Sequence, residues 1–254
     1  MARTKGIRRV GLARALSKLG YCSRSQASNL IRAGRVRLNG VTQSDPEAPV
    51  RVGSDRLDVD ERTVVQGERI YLMMNKARGV VTTASDEMGR ETVYAALGDE
   101  LPWVAPVGRL DKASEGLLLL TNDSEWAARI TAPANHIDKT YHIQIGALTD
   151  EALSESLVKG FRVANGEVLR VKSAETLRRG DRNTWLTVVL DEGKNRHIRR
   201  MLEAKGIEVL RLVRVAIGPL LLGDLPKGTY RALDKNEKTA LDAALATKPR
   251  TQTR

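Results

Sequence analysis

Long hydrophobic runs are missing from this 254-residue chain. Its best candidates, Leu117–Leu120 and Val215–Leu222, fall far short of the roughly 20 apolar residues that cross a bilayer. No membrane segment is expected. Cysteine is nearly absent too. A lone Cys22 excludes an intramolecular disulfide framework and points to a reducing compartment, the cytoplasm. As a small half-buried side chain at a helix boundary it needs no chemical role. The three histidines, His136, His142 and His197, stand at no metal-ligand spacing to one another or to Cys22, so no zinc site is expected. Aromatic residues make up 4%, too few for the rows of rings on which single-stranded nucleic acid stacks.

Acidic residues are missing altogether from the first 44 positions, which hold ten of the 42 Lys and Arg. That leaves 32 basic and 31 acidic groups over the other 210 residues, so nearly all of the net charge of +11 sits on one N-terminal piece. Such asymmetry marks a polyanion-binding module, because neutralising phosphates and releasing their counterions dominates nonspecific affinity. A solvated basic face would carry some acids. An Arg-rich presequence would lack the folded-domain punctuation that runs through this stretch.

That punctuation is specific. Leu12, Leu16 and Leu19 share one helical face and Gly20 stops the helix. Ser23 with Gln26 forms a capping box for a second helix, whose buried stripe is Ala27, Leu30 and Ile31 and whose stop is Gly34. In RVRLNG, Val36 and Leu38 alternate inward, and Asn39-Gly40 is a two-residue hairpin turn. Between the apolar positions stand Arg14, Lys18, Arg24, Arg32, Arg35 and Arg37. The run GLARALSKLGYCSRSQASNLIRAGRVRLNG resembles an S4 RNA-binding domain over residues 8–67, which implies RNA held through its phosphates.

A polar stretch from Asp58 to Arg69 reads as a linker, and an α/β mixture of short strands follows. RIYLMMNKARG begins as an apolar strand, VVTTASDEMGRETVYAALG as a loop and short helix, and GLLLLTN as a strand buried on both faces. KTYHIQIG alternates, with Tyr141, Ile143 and Ile145 on one face and His142 and Gln144 on the other. ALTDEALSESLVKGF reads as a helix and WLTVVLDEG as a strand. KNRHIRRMLEAKG reads as a helix burying Ile198, Met201 and Leu202, and IEVLRLVRVAIG as a last strand. The fold class is therefore α+β. A small N-terminal α/β module at 8–67 precedes a mixed, mostly antiparallel sheet with flanking helices at 68–234. A basic polar tail occupies 235–254, with a last helical turn expected at Leu241–Leu245.

Chemistry on a base inside folded nucleic acid requires that base to leave its stack. A pocket for it needs a ring to stack on, a reactive group at the sugar and positive charge for the backbone. Tyr141, Asp111 and the Lys194–Arg200 cluster supply those parts. GRLD alone is an ordinary turn. In order behind an S4 module, however, VGRLDKASEGLLLLTND, KTYHIQIG and EGKNRHIRRM closely resemble the bacterial ribosomal RNA pseudouridine synthase family, up to about Leu233.

The resemblance implies an isomerase that cleaves uracil N1 from ribose, turns the bound base and rejoins it through C5, with no cofactor or metal. It implies that Asp111 is the essential carboxylate, able to attack or support the electron-poor ribose carbon. Arg199 would pair with Asp111 and keep it ionised, against the pull of burial toward protonation. Tyr141 would stack on the target uracil. Arg109, Lys194 and Arg196 would meet the RNA, together with the six N-terminal cations. The implied partner is ribosomal RNA or a pre-ribosomal particle, met by a monomer. Arg199 in place of Lys leans toward the large-subunit members. Ala77 where the family has Pro, Ser124 for Gly and His197 for Gln bear on target choice rather than on the catalytic atoms. Two other classes compete: a ribosome-binding protein without activity, against which the intact Asp111, Tyr141 and Arg199 argue, and a glycoside hydrolase, which needs two carboxylates where no second acid recurs near the motifs.

Overall fold

The computed structural model describes residues 9–83, 88–98 and 101–246. Residue 8, where the N-terminal module was expected to begin, lies outside them, as do part of the loop after Val81 and the last eight residues of the expected tail. The chain forms two compact units. Of the described residues, one holds 9–71 with 101–105 and 120–126; the other holds 72–83, 88–98, 106–119 and 127–246.

In the first unit β1 (Val10–Gly11) leads into α1 (Leu12–Lys18), followed by α2 (Arg24–Arg32), β2 (Val36–Leu38) and β3 (Val41–Gln43). Then come β4 (Pro49–Val50), β5 (Leu57–Val59) and β6 (Arg62–Thr63). The strands make an antiparallel sheet in the order β3-β2-β5-β6, and β1 pairs with β4. Leu12, Leu16, Ala27, Ile31, Val36, Val50, Leu57 and Val59 form its core, while Leu19, Leu30 and Leu38 pack at its margin. Both halves of the Ser23–Gln26 capping box are made. Asn39 and Gly40 take φ of 51° and 85°, the two left-handed residues that a tight hairpin turn requires.

The stretch expected to be a linker instead begins with a hairpin. Asp58 sits in β5, buried, accepting from Arg56 Nε at 2.9 Å and Thr63 Oγ1 at 2.7 Å. Asp60 and Glu61 make the turn at φ of 47° and 65°, acids in a conformation usually signalled by Gly or Asn. Irregular chain follows from Val64 to Ile70, fastened by Asn122. Its Oδ1 accepts from the Ile70 amide at 2.9 Å, and its Nδ2 donates to the Glu68 carbonyl at 2.8 Å.

The chain goes on through β7 (Tyr71–Lys76), β8 (Ala105–Val107), β9 (Glu115–Thr121), α3 (Ser124–Thr131), β10 (Lys139–Ile145) and α4 (Glu151–Lys159). It continues with β11 (Phe161–Arg162), β12 (Val168–Leu169), β13 (Ser173–Arg179), β14 (Thr184–Leu190) and α5 (His197–Glu203). The last elements are β15 (Val209–Ile217), β16 (Leu220–Leu221), β17 (Tyr230–Ala232) and α6 (Lys235–Ala246). A nine-stranded sheet runs β13-β14-β10-β15-β9-β7-β17, with β16 on β15 and β8 on β9. β9 is parallel to β15, whereas β10 pairs antiparallel with both β14 and β15. All seven residues of β9 are buried, as a strand covered on both faces must be. β10 alternates, with Tyr141, Ile143 and Ile145 inward. α6 is a three-turn helix with Leu241 fully buried, longer than the single turn expected of the C-terminal stretch.

One glycine fixes the sheet where the site is built. Gly116 has φ of 101°, and a Cβ there would stand 2.3 Å from the Arg214 carbonyl oxygen. The parallel pairing of β9 with β15 therefore brings two backbones closer than any side chain allows. No helix among the described residues is long and apolar enough to cross a membrane.

Candidate active site

On the face of the sheet that carries Tyr141, a cleft of about 310 Å³ gathers Arg109, Asp111, Tyr141, Lys194, Arg196 and Arg199. That volume is at the small end of ligand sites and suits a single extruded nucleotide. Every residue expected from the catalytic motifs lies in this one wall. Arg14, Lys18, Arg24, Arg32, Arg35 and Arg37 belong to the other unit. There Lys18 pairs with Glu125 at 2.6 Å, Arg35 with Asp60 and Arg37 with Glu61 at 3.8 Å. Arg14, Arg24 and Arg32 are exposed and have no ion pair among the described residues.

Asp111 stands in a turn between β8 and β9, half-buried, and its backbone is held at several points. Gly108 takes φ of 75° just after β8. Thr82 Oγ1 donates to the Leu110 carbonyl at 2.9 Å, and the Ser114 amide donates to the Asp111 carbonyl at 2.9 Å. The Gly79 amide donates to the Lys112 carbonyl at 2.8 Å. Two cations complete the fastening: Arg199 Nη2 donates to the Ala113 carbonyl at 3.0 Å, and Lys76 Nζ donates to the Ser114 carbonyl at 2.8 Å. The carboxylate itself is left open to the cleft.

The expected ion pair between Arg199 and Asp111 is therefore not made. The Arg199 fork instead spans backbone, from Ala113 to a longer contact with the Val209 carbonyl at 3.5 Å, and its Nε is buried without an acceptor. Its positive charge still acts on Asp111 through space, although burial and the neighbouring Arg196 push the guanidinium below its ordinary range. Arg199 both braces the turn and charges the site.

The other cleft cations are more engaged than the sequence suggests. Lys194 meets Glu192 and Glu167, each at 3.2 Å, and these hydrogen bonds hold its ammonium above the ordinary lysine range. Arg200 with Lys194 lowers Glu167 to about 2. Arg196, at φ of 48° before α5, pairs with Glu203 at 2.7 Å. His197 is buried at the start of α5, and burial lowers it below the usual histidine range. His142 points to the opposite face of β10, as its alternation requires.

Three residues carry structure here that the motifs did not single out. Arg214 lines the cleft opposite Tyr141 in the β10–β15 register. Glu115, on the far face of β9, is buried; burial alone would raise its carboxyl, but Arg211 and Lys227 outweigh that and hold it below the usual range. Lys76 ends the apolar strand YLMMNK with only 1% of its surface exposed. A lysine closing such a run is the one signal that could have found it.

Burial lowers Lys76 from 10.5 to about 8, against the attraction of Asp111 and Glu115. The folded chain thus gives up this proton near pH 8, whereas the unfolded chain keeps it to 10.5. Between those limits the unfolded state binds more protons, so this group adds stability as pH rises, by up to roughly 3 kcal/mol. Other lysines and tyrosines titrate in the same window, and Lys76→Met isolates the effect. Urea unfolding should show the wild type gaining on the variant between pH 8 and 10.5; a difference that stays constant with pH would mean the amine is not desolvated.

Residues 70–204 match the family model described as RNA pseudouridylate synthase, and residues 10–56 match the S4 domain. The ribosomal large subunit pseudouridine synthase B of Bacillus subtilis is 34% identical, over 91% of this chain and 95% of its own. An uncharacterized RNA pseudouridine synthase of Mycobacterium bovis is 35% identical over 92% of both chains. Among solved structures, a pseudouridylate synthase aligns with a TM-score of 0.64 and 29% identity, over 91% of this chain and 99% of that one.

Proposed function

We propose that this chain, which belongs to the RNA pseudouridylate synthase family, converts a uridine of ribosomal RNA to pseudouridine with Asp111 as its catalytic carboxylate. The observation that carries this reading is the convergence of Asp111, Tyr141 and Arg199 on one nucleotide-sized cleft. The open carboxylate meets the positive charge that develops at ribose C1′ as the bond to N1 breaks. Tyr141 supplies the stacking face, and Arg109, Lys194 and Arg196 supply the cationic rim for the backbone. The fixed turn keeps the carboxylate aimed without reorganisation.

We assign the substrate to large-subunit RNA, free or within a pre-ribosomal particle. Arg199 and the name of the Bacillus subtilis relative support that choice. The reading takes residues 8–67 as the docking module, 68–234 as the catalytic domain and 235–254 as a C-terminal extension, in a cytoplasmic monomer. Incubating ribosomal RNA carrying tritium at uracil C5 tests the reaction. Label should pass to water, since C5 exchanges its proton for a bond to ribose; retained label would leave only a binding protein.

The docking module makes a separate prediction. Arg14, Arg24 and Arg32 are exposed cations of this module with no ion pair among the described residues, so replacing all three with glutamine should weaken RNA binding. It should also reduce the slope of log K against log salt by about 2–3, at most about 0.9 for each phosphate left without its arginine. An unchanged slope in filter-binding titrations would place the phosphate-binding groups elsewhere.

A further inference from the structure

We propose that Arg214 holds the detached uracil as an anion between bond cleavage and re-bonding, an inference that rests on the isomerase reading above. When C1′–N1 breaks, the bonding pair stays with N1, and the base becomes a monoanion with charge spread over N1, O2 and O4. To form the isomer, C5 gives a pair to C1′ and loses its proton to solvent, while N1 takes one up. Between these steps the base is joined to nothing and must turn without escaping. A neutral ring beneath it gives a surface to slide on but no hold on its charge. A desolvated guanidinium at a fixed place gives that hold, because charge-assisted hydrogen bonds strengthen as the base becomes negative.

Arg214 has the required placement. β15 alternates, so Leu212 and Arg214 line the cleft while Arg211 turns to the far face beside Glu115. Arg214 is the direct cross-strand neighbour of Tyr141, so their side chains stand on the same face within reach of one base. The residue is 5% exposed. Its Nε donates to the Leu117 carbonyl at 2.7 Å, which fixes the guanidinium plane, and its Nη2 is shut from solvent with no acceptor. A clamp between β9 and β15 would need only the Nε bond. The rest of the guanidinium, on a residue that lines the cleft, is left for an acceptor that arrives with the substrate.

The test compares Arg214→Met and Arg214→Lys with the wild type on in vitro ribosomal RNA transcripts. One set carries [5-³H]uridine and the other carries 5-fluorouridine. The intact base is neutral, so RNA affinity should stay within about threefold, while the single-turnover rate of Arg214→Met on uridine RNA falls roughly 10²–10³-fold. Lysine, charged but without the fork, should fall between. Fluorine at C5 stabilises the departing anion, so the gap between wild type and Arg214→Met, followed as loss of 5-fluorouridine after nuclease digestion, should shrink at least about tenfold. A misfolded or merely loosened variant slows both RNAs equally. Equal gaps on the two RNAs, or wild-type rates in Arg214→Met, overturn the assignment. Absence of tritium release by the wild type would instead overturn the isomerase reading beneath it.

Discussion

Replacing Asp111 with alanine should abolish tritium release from [5-³H]uridine RNA, by at least about 10³-fold, while leaving fold and RNA affinity in place. The expectation rests on how Asp111 is held. Its side chain makes no hydrogen bond and no ion pair among the described residues, and the turn around it is fastened through its own backbone groups, which other residues bond. Removing the carboxylate therefore takes nothing from the scaffold, and thermal stability should change by less than about 1 kcal/mol. Affinity should hold or rise, since one negative charge leaves a cleft lined by arginines and meets no phosphate. Asp111→Asn, matched in shape, should be as inactive as alanine, because an amide cannot answer a developing positive charge. Single-turnover assays with filter binding on the same preparations separate these effects. Label released at the wild-type rate by either variant would remove Asp111 from the chemistry.

Much of the fold and of the cleft is legible in the sequence, and the misses share a physical character. The helices, the capping box at Ser23 and the hairpin at Asn39-Gly40 are set by residues within four positions of one another, so short-range rules suffice. The alternation of KTYHIQI marks the Tyr141 face directly, because a strand has only two faces. The Asp60-Glu61 turn is hidden because Glu61 carries no left-handed preference to complete the one Asp60 begins; Asp58, satisfied across the hairpin by Thr63, helps hold it. Lys76 and Arg214 are hidden for a longer-range reason. Each is a cation inside a strand whose partner is a backbone carbonyl about 40 or 100 residues away, Ser114 for one and Leu117 for the other. No local pattern reports such a bond. The family motifs place Arg199 beside the Asp111 turn, yet which acceptor its fork takes depends on the turn's carbonyls, which the motifs do not describe.

That choice of acceptor gives Arg199 a prediction of its own. If the residue merely neutralised Asp111, any cation in its place would serve, and Arg199→Lys would recover most of the rate. The fork instead joins the Ala113 carbonyl of the Asp111 turn to the Val209 carbonyl at the start of β15. A lysine ammonium, with its donors at a single point, cannot span both. We therefore expect Arg199→Met to lower the single-turnover rate roughly 10²–10³-fold, with Arg199→Lys recovering only a small part of it. Both variants leave at least one half-buried carbonyl without that donor, at up to roughly 1–3 kcal/mol each, so melting should shift downward together with the rate. This coupling sets Arg199 apart from Asp111, whose loss should cost rate alone. A lysine variant of near wild-type rate and lowered stability would assign the bridge to folding and the charge to catalysis. A methionine variant of wild-type rate would remove Arg199 from the site altogether.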